Sequence, residues 1–321
     1  MALTRLKNRG ITDDTITEAK WGGNQFGRKN LIINGAMQVW QRGTSTTSTG
    51  TKTADRWNVF TESGSLTSVE RSTDVPTNKP FEYSVKITGT NVVLRHWIER
   101  PLQFQTGAVL TWSAWVKGTA GNTFSADISD RHNEGYTCTG DWEFITKTFT
   151  VGSDRDVDAY GTYGNQHLNI IRGTSAGAYY VTGVQLEVGS VATPFEHRSY
   201  GEELALCQRY YYQLGGTHEV IGAAYSPSTS EVGINFYFPV TMRTTPTVSV
   251  SNITNFEFRK NNNTAYVFSG SGGANVTYMT PEGGSYWRNG EGLGASGFAG
   301  EVRTRNATTG YIYFEAEIGS P

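Results

Sequence analysis

The chain has 321 residues, of which 37% are hydrophobic and 17% are charged, and its formal net charge is −2. Because there is no basic excess to neutralise phosphates or an anionic lipid surface, we expect neither nucleic acid nor a membrane as a partner. No apolar run is long enough to span a bilayer, and the low hydrophobic and charged content disfavours a helical enzyme.

The composition is instead rich in glycine, serine, threonine and asparagine, which favour turns and strands over long helices. Aromatic residues make up 12% of the chain and can bury large areas despite the modest aliphatic content. The composition therefore predicts an all-β chain with long polar loops, divided into two or three domains.

The first 29 residues differ from the rest, because their apolar side chains are too sparse for a core. The opening MALTRLKNRGITDD is charged and lacks the apolar centre of a signal peptide, which predicts a protein made and kept in a cytoplasm. We interpret residues 1–29 as an anchoring arm that becomes ordered only when it binds partner proteins. The alternative is a disordered terminus, which is the commoner case in proteins generally. The candidate anchoring residues of this arm are Leu3, Leu6, Ile11, Ile16 and Trp21.

Residues 30–198 show the period of two that is typical of strands. Leu110, Trp112, Ala114 and Val116 alternate with other residues, YSVKITG and FITKTFTVG show the same pattern, and AYYVTGVQLEVG indicates a longer strand broken at Gly183. Turn clusters separate these runs at short intervals, so the region is predicted to be a jelly-roll β-sandwich. Its core is expected to include Trp40, Trp57, Trp97, Trp112 and Trp142.

The region 199–215 carries the strongest helix signal. Ser199 and Glu202 form a capping box, and the Gly215–Gly216 pair would end the helix. A heptad seam follows at steps of four and three residues: Tyr200, Leu204, Cys207, Tyr211 and Leu214. The seam predicts either a helix that zips parallel subunits together or an amphipathic helix packed on its own sandwich, and two heptads do not separate these readings.

Strands resume in residues 216–321, which are predicted to form a second, β-sandwich-like domain. Val232, Ile234, Phe236 and Phe238 alternate along one strand and fall on one face. The glycine-rich segment 270–300 bears aromatic residues but few aliphatic ones, so we expect exposed loops there. The two β units do not resemble each other, and no tandem repeat is present.

The residue types favour binding to sugars, whose apolar C–H faces stack on rigid aromatic rings while neighbouring polar groups orient the hydroxyls. Two clusters combine these residue types. The candidate glycan-binding residues are Tyr278, Glu282, Tyr286, Trp287, Arg288 and Asn289 in the C-terminal unit, and Tyr160, Tyr163, Asn165 and Gln166 in the sandwich. Trimer packing is an equal alternative for the first cluster.

Two pairs of acidic residues are candidates for a catalytic carboxylate pair. Asp127 and Asp130 are close in sequence, but a spacing of three places them on opposite faces of a strand, and solvated loop acids are the simpler interpretation. Glu282 and Glu291 could form a pair across the glycine-rich segment. Neither pair meets the requirements of a site, so we expect a protein that is not an enzyme.

One acidic segment is a candidate for a metal site. The segment DRDVD, with Asp154, Asp156 and Asp158, imitates a calcium loop, but Ala159 and Asn165 occupy the places where the EF-hand pattern needs glycine and glutamate. An irregular calcium site stays open, against the simpler reading of an exposed acidic strand face. Cys138 and Cys207 lie in segments that we assign to different units, so we expect no disulfide between them and predict that both thiols are reduced and buried. We therefore expect no cofactor.

Several segments resemble bacteriophage tail-fibre proteins that contain a carbohydrate-binding-module-like jelly roll. NLIINGAMQVWQRGTS (30–45) and TADRW (53–57) resemble the two markers that open this domain. VTGVQLEVGSVATPFEHRSYGEELALCQRYYYQ (181–213) resembles its closing strand and the connecting helix. FPVTMRTTPTVSVSN (238–252) resembles the start of the C-terminal domain of such fibres, and residues 2–21 resemble their virion-attachment arm.

The resemblance implies a homotrimeric fibre of the virion tail, assembled in the host cytoplasm. Its arm (1–29) would hold another tail protein, and its jelly roll (30–198), helix (199–215) and tip domain (216–321) would present a surface to host polysaccharide. Related domains often carry calcium beside the opening Asn-Gly, but here Ala36, Met37 and Gln185 stand near those positions. The alternatives are a structural tail connector or decoration protein and, less favoured, a capsule depolymerase.

Overall fold

The computed structural model describes residues 29–99, 106–128, 131–152, 165–269, 273–289, 292–293, 296–305 and 308–318. The chain divides into two compact units, with the boundary between Tyr200 and Gly201. Strands dominate both units, and the described residues contain one α-helix. The predicted all-β class is therefore confirmed, whereas the five candidate anchoring residues lie outside the described residues.

The first unit contains nine strands within the described residues. They are β1 Ser45–Thr46, β2 Trp57–Ser72, β3 Ser84–Glu99, β4 Val109–Gly118, β5 Thr123–Ile128, β6 Arg131–Thr137, β7 Glu143–Thr150, β8 Asn165–Gly173 and β9 Gly177–Val188. The strand order is β6-β5-β8-β3-β9-β4-β7, with β2 beside β3 and β1 beside β2.

The long strand β3 belongs to two halves of this sheet. Its first part, Val85–Gly89, pairs with β9, and its second part, Val92–Glu99, pairs with β8. Where the parts join, a Cβ added to Gly64 or Gly89 would collide with the carbonyl oxygen of the opposite strand. Glycine therefore permits the close approach of β2 and β3 at this irregular point.

Side chains from both halves meet in one core, which confirms the predicted sandwich. The alternation along β4 is also confirmed, because Leu110, Trp112, Ala114 and Val116 are all buried. Trp40, Trp57 and Trp97 are buried as expected. The assignment of Trp142 to the core was wrong: it is partly exposed and donates its Nε1–H to Asp74 at 2.9 Å.

The two opening motifs build the fold through a buried polar network. The Asn34 side chain accepts from the backbone N–H groups of Gln38 (2.8 Å) and Val39 (3.0 Å) and donates to the carbonyl of Asp55 (3.0 Å). The Asp55 carboxylate accepts from Gln41 N–H at 2.6 Å and pairs with Arg42 at 2.9 Å. Asn34 and Asp55 therefore have a structural role in the two motifs, because their side chains satisfy buried backbone groups that would otherwise lack hydrogen-bond partners.

The opening segment is joined to the closing strand in the same way. Gly35 lies so close to β9 that an added Cβ would collide with the carbonyl oxygen of Val184. The Gln185 amide, which stands near one of the positions where related domains hold calcium, donates to the Glu187 carboxylate (2.8 Å), and this carboxylate also accepts from Thr193 N–H (2.8 Å). Among the described residues, no group of three or more His, Cys, Asp or Glu side chains could hold a metal ion.

Apart from its first residue, helix α1 belongs to the second unit, which also contains ten strands within the described residues. The helix is Tyr200–Gln208, and the strands are β10 Tyr211–Thr217, β11 Val220–Ser226, β12 Glu231–Tyr237, β13 Thr247–Val250, β14 Phe256–Lys260, β15 Ala265–Val267, β16 Gly273–Thr280, β17 Gly283–Asn289, β18 Phe298–Thr304 and β19 Thr309–Glu315. A 3-10 turn covers Ile253–Asn255.

The predicted helix 199–215 was wrong in its second half. The helix ends at Gln208, and the residues from Tyr211 to Thr217 pair with β19 in continuous antiparallel register. Tyrosines at 210–212 favour a pleated strand, and the pairing hydrogen-bonds a whole segment of backbone. Gly215 does not end a helix but lies in β10 with φ of 118°.

The helix therefore cannot present the predicted seam. Cys207 and Tyr211 are buried within their own chain, and Leu214 packs against the core of the second unit. Tyr200 is exposed and Leu204 is partly buried. These two are the members of the seam that stay accessible for a contact between chains.

Two sheets pack face to face in the second unit. The small sheet has the order β10-β19-β13, and the large one has the order β15-β14-β18-β11-β12-β17-β16. Val232, Ile234, Phe236 and Phe238 lie in the shared core, as their alternation predicted. The expectation of exposed loops over 270–300 was wrong, because the hairpin β16–β17 and the start of β18 occupy much of this segment.

Both cysteines are free and buried, which confirms the prediction for them. Burial, followed by the charge of Glu143, raises the pKa of the Cys138 thiol. In the described part of the chain, no helix is long and apolar enough to cross a membrane.

The close approach of Gly35 to β9 gives a first testable prediction. Gly35→Ala should lower the free energy of unfolding by about 1–3 kcal/mol, because the added methyl group overpacks a buried contact. Urea unfolding followed by tryptophan fluorescence measures this. Gly135→Ala is the matched control, since a Cβ there meets nothing within 4 Å and Gly135 is exposed. Equal stability of the two variants would contradict the packing account.

Candidate functional site

The outer surface of the large sheet in the second unit carries a row of aromatic residues. In the antiparallel register, Tyr225 of β11 lies opposite Gly233 of β12, which in turn lies opposite Trp287 of β17. The rings of Tyr225 and Trp287 meet edge to face, with centroids 5.2 Å apart. The three residues therefore form one continuous strip across three strands.

Strand alternation explains why this strip faces outward. Val232, Ile234 and Phe236 point into the core, so Gly233 and Asn235 between them belong to the opposite face. Tyr225 remains 42% exposed and Tyr237, at the end of the same face, 85% exposed. Large apolar side chains held at these positions are available to a ligand.

Gly233 determines how the indole of Trp287 lies on the sheet. A Cβ added at Gly233 would stand 2.9–3.0 Å from three carbons of the indole ring. The absence of a side chain therefore lets the ring rest directly on the backbone of β12. An aromatic ring fixed in this way is a rigid surface that loses little entropy on binding.

A polar row lies beside the aromatic one. Ser285 donates its hydroxyl to the Asn235 amide oxygen at 2.6 Å. Ala224 pairs with Ile234, so the small residue Ala223 lies next to Asn235 on this face. We name the surface formed by Tyr225, Gly233, Asn235, Ser285 and Trp287 the platform face.

A cleft of about 440 Å³ opens on the same side of the sheet, next to Ala223. Its lining is Val220, Ala223, Arg259, Lys260, Asn261, Gly300 and Glu301. The space exists because Ala223 and Gly300 contribute little side-chain volume. A cleft of this size falls in the range of small-ligand sites.

The charged groups of the cleft are arranged across β14 and β18. Arg259 lies opposite Glu301 in the strand register, and its Nε donates to Asn263 at 2.6 Å. Arg303 contacts Glu257 at 2.7 Å and Glu301 at 3.8 Å. The cleft therefore offers a guanidinium, a carboxylate and the Asn261 side chain within reach of one bound molecule.

This arrangement suits the recognition of a sugar. The indole of Trp287 offers an apolar surface for the C–H face of a ring, while Asn235, Ser285 and the cleft offer hydrogen-bond donors and acceptors for hydroxyl groups. The described lining of the cleft contains one carboxylate, Glu301.

The structure divides the candidate residues that sequence reasoning grouped in the C-terminal unit. Trp287 lies on the platform face, but Tyr286 and Arg288 point to the other side of β17 and are 3% and 4% exposed. Tyr286 joins the core, and Arg288 donates to the carbonyl of Ser269 at 2.9 Å. Their assignment to an exposed glycan site was therefore wrong, because neighbours on a strand face opposite ways.

The other three candidates lie at the ends of the β16–β17 hairpin. Tyr278 is 85% exposed in an irregular part of β16, with φ of 54°, and Glu282 is exposed in the turn. Asn289 ends β17, where it pairs with Glu231 and Gly273. Sequence reasoning missed Tyr225, Gly233 and Asn235 as members of the site. The alternation in AAYS and GINFY was a signal for them, because it places these residues on the outward face beside buried neighbours.

The candidates of the first unit remain predictions. Tyr160 and Tyr163 lie outside the described residues, as do Asp154, Asp156 and Asp158. Asn165 and Gln166 begin β8 and pair with Glu99 and Ile98. Their side chains are not among those the structure describes.

The interpretation of Asp127 as a solvated loop acid was wrong. Asp127 lies on β5, fully buried, where it accepts from the Asn169 amide at 2.8 Å and contacts Arg172 at 3.4 Å. Asn169 in turn accepts from Arg95 at 2.8 Å. Asp130 and Glu291, the partners in the two candidate carboxylate pairs, lie outside the described residues.

No protein-family model matches the chain, and no curated protein matches it. Solved structures similar to parts of it include carbohydrate-binding modules and one phage tailspike. A CBM4 module is 16% identical over 49% of this chain and 99% of its own, with a TM-score of 0.35. A CBM22 tandem from Paenibacillus barcinonensis Xyn10C is 14% identical over 91% of this chain and 99% of its own, with a TM-score of 0.31.

The tailspike is protein 4 of bacteriophage CBA120, represented by its enzymatically active domain. It is 15% identical over 50% of this chain and 21% of its own, with a TM-score of 0.36. At identities and TM-scores this low, no functional conclusion follows from these likenesses.

The contact between Gly233 and Trp287 gives a second prediction. Gly233→Ala should displace the indole from the sheet and weaken binding of any ligand that stacks on it, while the fold is retained, because only the far edge of one ring must move. Binding to an immobilised bacterial surface polysaccharide measures the effect, and urea unfolding checks stability. Unchanged binding by a folded Gly233→Ala protein would show that the position of the ring does not matter.

Proposed function

We propose that this chain is a bacteriophage tail-fibre protein that binds bacterial surface glycans through the platform face. The observation that carries the proposal is the Tyr225–Trp287 ring pair, laid over Gly233 beside the Asn235–Ser285 hydrogen bond and the cleft. The order of sequence segments that resemble phage fibres supports its place in a virion tail.

The proposed mechanism is reversible adhesion with no chemical step. A shallow platform binds one glycan weakly, because few contacts offset the loss of freedom on association. Several copies of the site acting on one cell surface raise the effective concentration and hence the avidity. A weak site is thus sufficient for attachment.

We also propose the assembly that the sequence resemblance implies: a homotrimer attached to the tail through residues 1–29. The contact between chains would not use the whole predicted seam, because Cys207 and Tyr211 are already buried within one chain. Tyr200 and Leu204 are the accessible residues of the helix around which it can form.

Trp287→Ala should weaken glycan binding by about tenfold or more, because a hot-spot ring is worth at least 1.4 kcal/mol, which corresponds to a factor of ten. Titration of arrayed bacterial lipopolysaccharides and capsular polysaccharides with the full chain measures this. Val267→Ala is the control, since Val267 is an exposed apolar residue on β15, at the far edge of the same sheet. Trp287→Tyr should restore much of the affinity.

Two outcomes would contradict this proposal. If the wild-type chain binds no surface polysaccharide, a structural role within the tail replaces adhesion. If it shortens the polysaccharide on incubation, as followed by size-exclusion chromatography, the assignment as a non-enzymatic binder is wrong.

Sedimentation velocity of the full chain tests the assembly. We expect a species with three times the mass of one chain, and we expect Tyr200→Glu to shift it toward the monomer, because a buried charge without a partner opposes the contact. Val191→Glu, which places a charge at another highly exposed apolar residue, is the control. A wild-type protein that is monomeric at all concentrations would refute the trimer.

A further inference from the structure

A second aromatic surface, made of Trp115, Trp142, Phe144 and Tyr180, lies on the first unit. Trp115 of β4 pairs with Phe144 of β7, and their ring centroids are 5.3 Å apart. Trp142 precedes β7 by one residue, and its ring lies 6.3 Å from that of Tyr180 on β9. We name these four residues the aromatic face.

The aromatic face is on the solvent side of the sheet. Ala114 and Val116 point into the core, so Trp115 between them faces outward. Phe144 is 46% exposed, and the other three rings are partly exposed. Four large rings on one surface exceed the single exposed apolar residues that are normal on a soluble protein, and such patches mark binding sites.

Hydrogen bonds that the Asp74 carboxylate accepts hold part of this surface in place. Asp74 accepts from Trp142 Nε1–H at 2.9 Å and pairs with Lys117 at 2.8 Å. Burial alone would raise the pKa of Asp74, but the bonds from Lys117 and Trp142 outweigh it and lower the pKa. The carboxylate therefore stays charged near neutral pH and keeps the Trp142 ring oriented.

The rings are flanked by lysines from different elements. Lys117 lies over the Tyr180 ring at 5.5 Å and is paired with Asp74, and Lys86 is paired with Glu70 at 3.2 Å. Lys79 differs, because its contact among the described residues is with the Trp115 ring, at 5.2 Å. It is an exposed cation without a carboxylate partner in the described part of the chain, placed directly above an aromatic ring.

We propose that the aromatic face is a second carbohydrate site and that it takes a carboxylate-bearing sugar residue. The sugar ring would pack on the exposed Phe144 ring beside Trp115, and its carboxylate would pair with the Lys79 ammonium, which lies over Trp115. The positive charge of Lys79 favours this ligand over a neutral sugar. The site shares no residue with the platform face, so the two proposals can fail separately.

The test uses the full chain and acidic oligosaccharides of defined length: oligogalacturonate, oligoglucuronate, alginate and hyaluronan fragments. Neutral galactan and glucan oligosaccharides of the same length are the comparison, and isothermal titration calorimetry is the readout. We expect at least one acidic ligand to bind more tightly than its neutral counterpart, and we expect its affinity to fall at high salt because the ion pair is exposed.

Two variants locate the site. Lys79→Gln should lower the affinity for the acidic ligand about fivefold, as expected for an exposed ion pair, and should reduce the salt dependence. Trp115→Ala should lower it about tenfold or more, because the ring that contacts Phe144 and lies beneath the Lys79 ammonium is lost. Lys147→Gln is the matched control, because it removes the same charge from the same unit at a lysine that pairs with Glu134 instead.

The proposal is overturned if none of the four acidic ligands binds, if neutral ligands bind equally well, or if Lys79→Gln and Trp115→Ala leave the affinity unchanged. Trp287→Ala distinguishes the two sites. Loss of acidic binding in Trp287→Ala, with retention in Trp115→Ala, would assign the acidic ligand to the platform face and remove the second site.

Discussion

Alternation of side chains along the strands is the constraint on which both units depend. A strand that buries one face must expose the other, so every core residue fixes the position of an outward neighbour. On β12 this rule places Val232, Ile234 and Phe236 inside and Gly233 outside, where the gap receives the Trp287 ring. On β4 the same rule turns Trp115 toward solvent between Ala114 and Val116. Each candidate site thus lies on the outer face of a sheet whose inner face lines a core.

The parts of the fold that depend on local pattern could be predicted from the sequence. Leu110, Trp112 and Val232 were placed in cores because period-two alternation is a property of a single strand. The second half of the helix could not be predicted, because Tyr211 and Leu214 pair with residues of β19 far along the chain, and that pairing has no local signal. Tertiary hydrogen bonding therefore overrode a heptad pattern.

The candidate site was only partly predictable for the same reason. Trp287 could be chosen by its chemistry, but its partners Tyr225 and Gly233 belong to other strands, and only the register brings them together. Strand alternation alone would have assigned Tyr286 and Arg288 to the opposite face of β17 from Trp287. The motif residues Asn34 and Asp55 show the converse, since they are conspicuous in the sequence yet serve a buried network of backbone hydrogen bonds.

The two surfaces differ in chemistry, which gives each a separate proposed ligand. The platform face combines rings with an amide, a hydroxyl and a cleft of mixed charge, which suits the hydroxyl groups of a neutral sugar. The aromatic face combines rings with the ammonium of Lys79, which suits a carboxylate. If both proposals hold, each chain carries two sugar-binding surfaces, and this multivalency raises the avidity for a cell surface above either single affinity.

Hydroxyl-radical footprinting of the full chain, with and without bacterial surface polysaccharide, tests the central claim most directly, because oxidation of each side chain is read by mass spectrometry. We predict that the polysaccharide protects Trp287 and Tyr225, while Val191, which is 69% exposed and belongs to neither proposed sugar surface, is oxidised to the same extent in both states. Saturating polysaccharide that leaves Trp287 and Tyr225 as reactive as in the free protein would contradict the account.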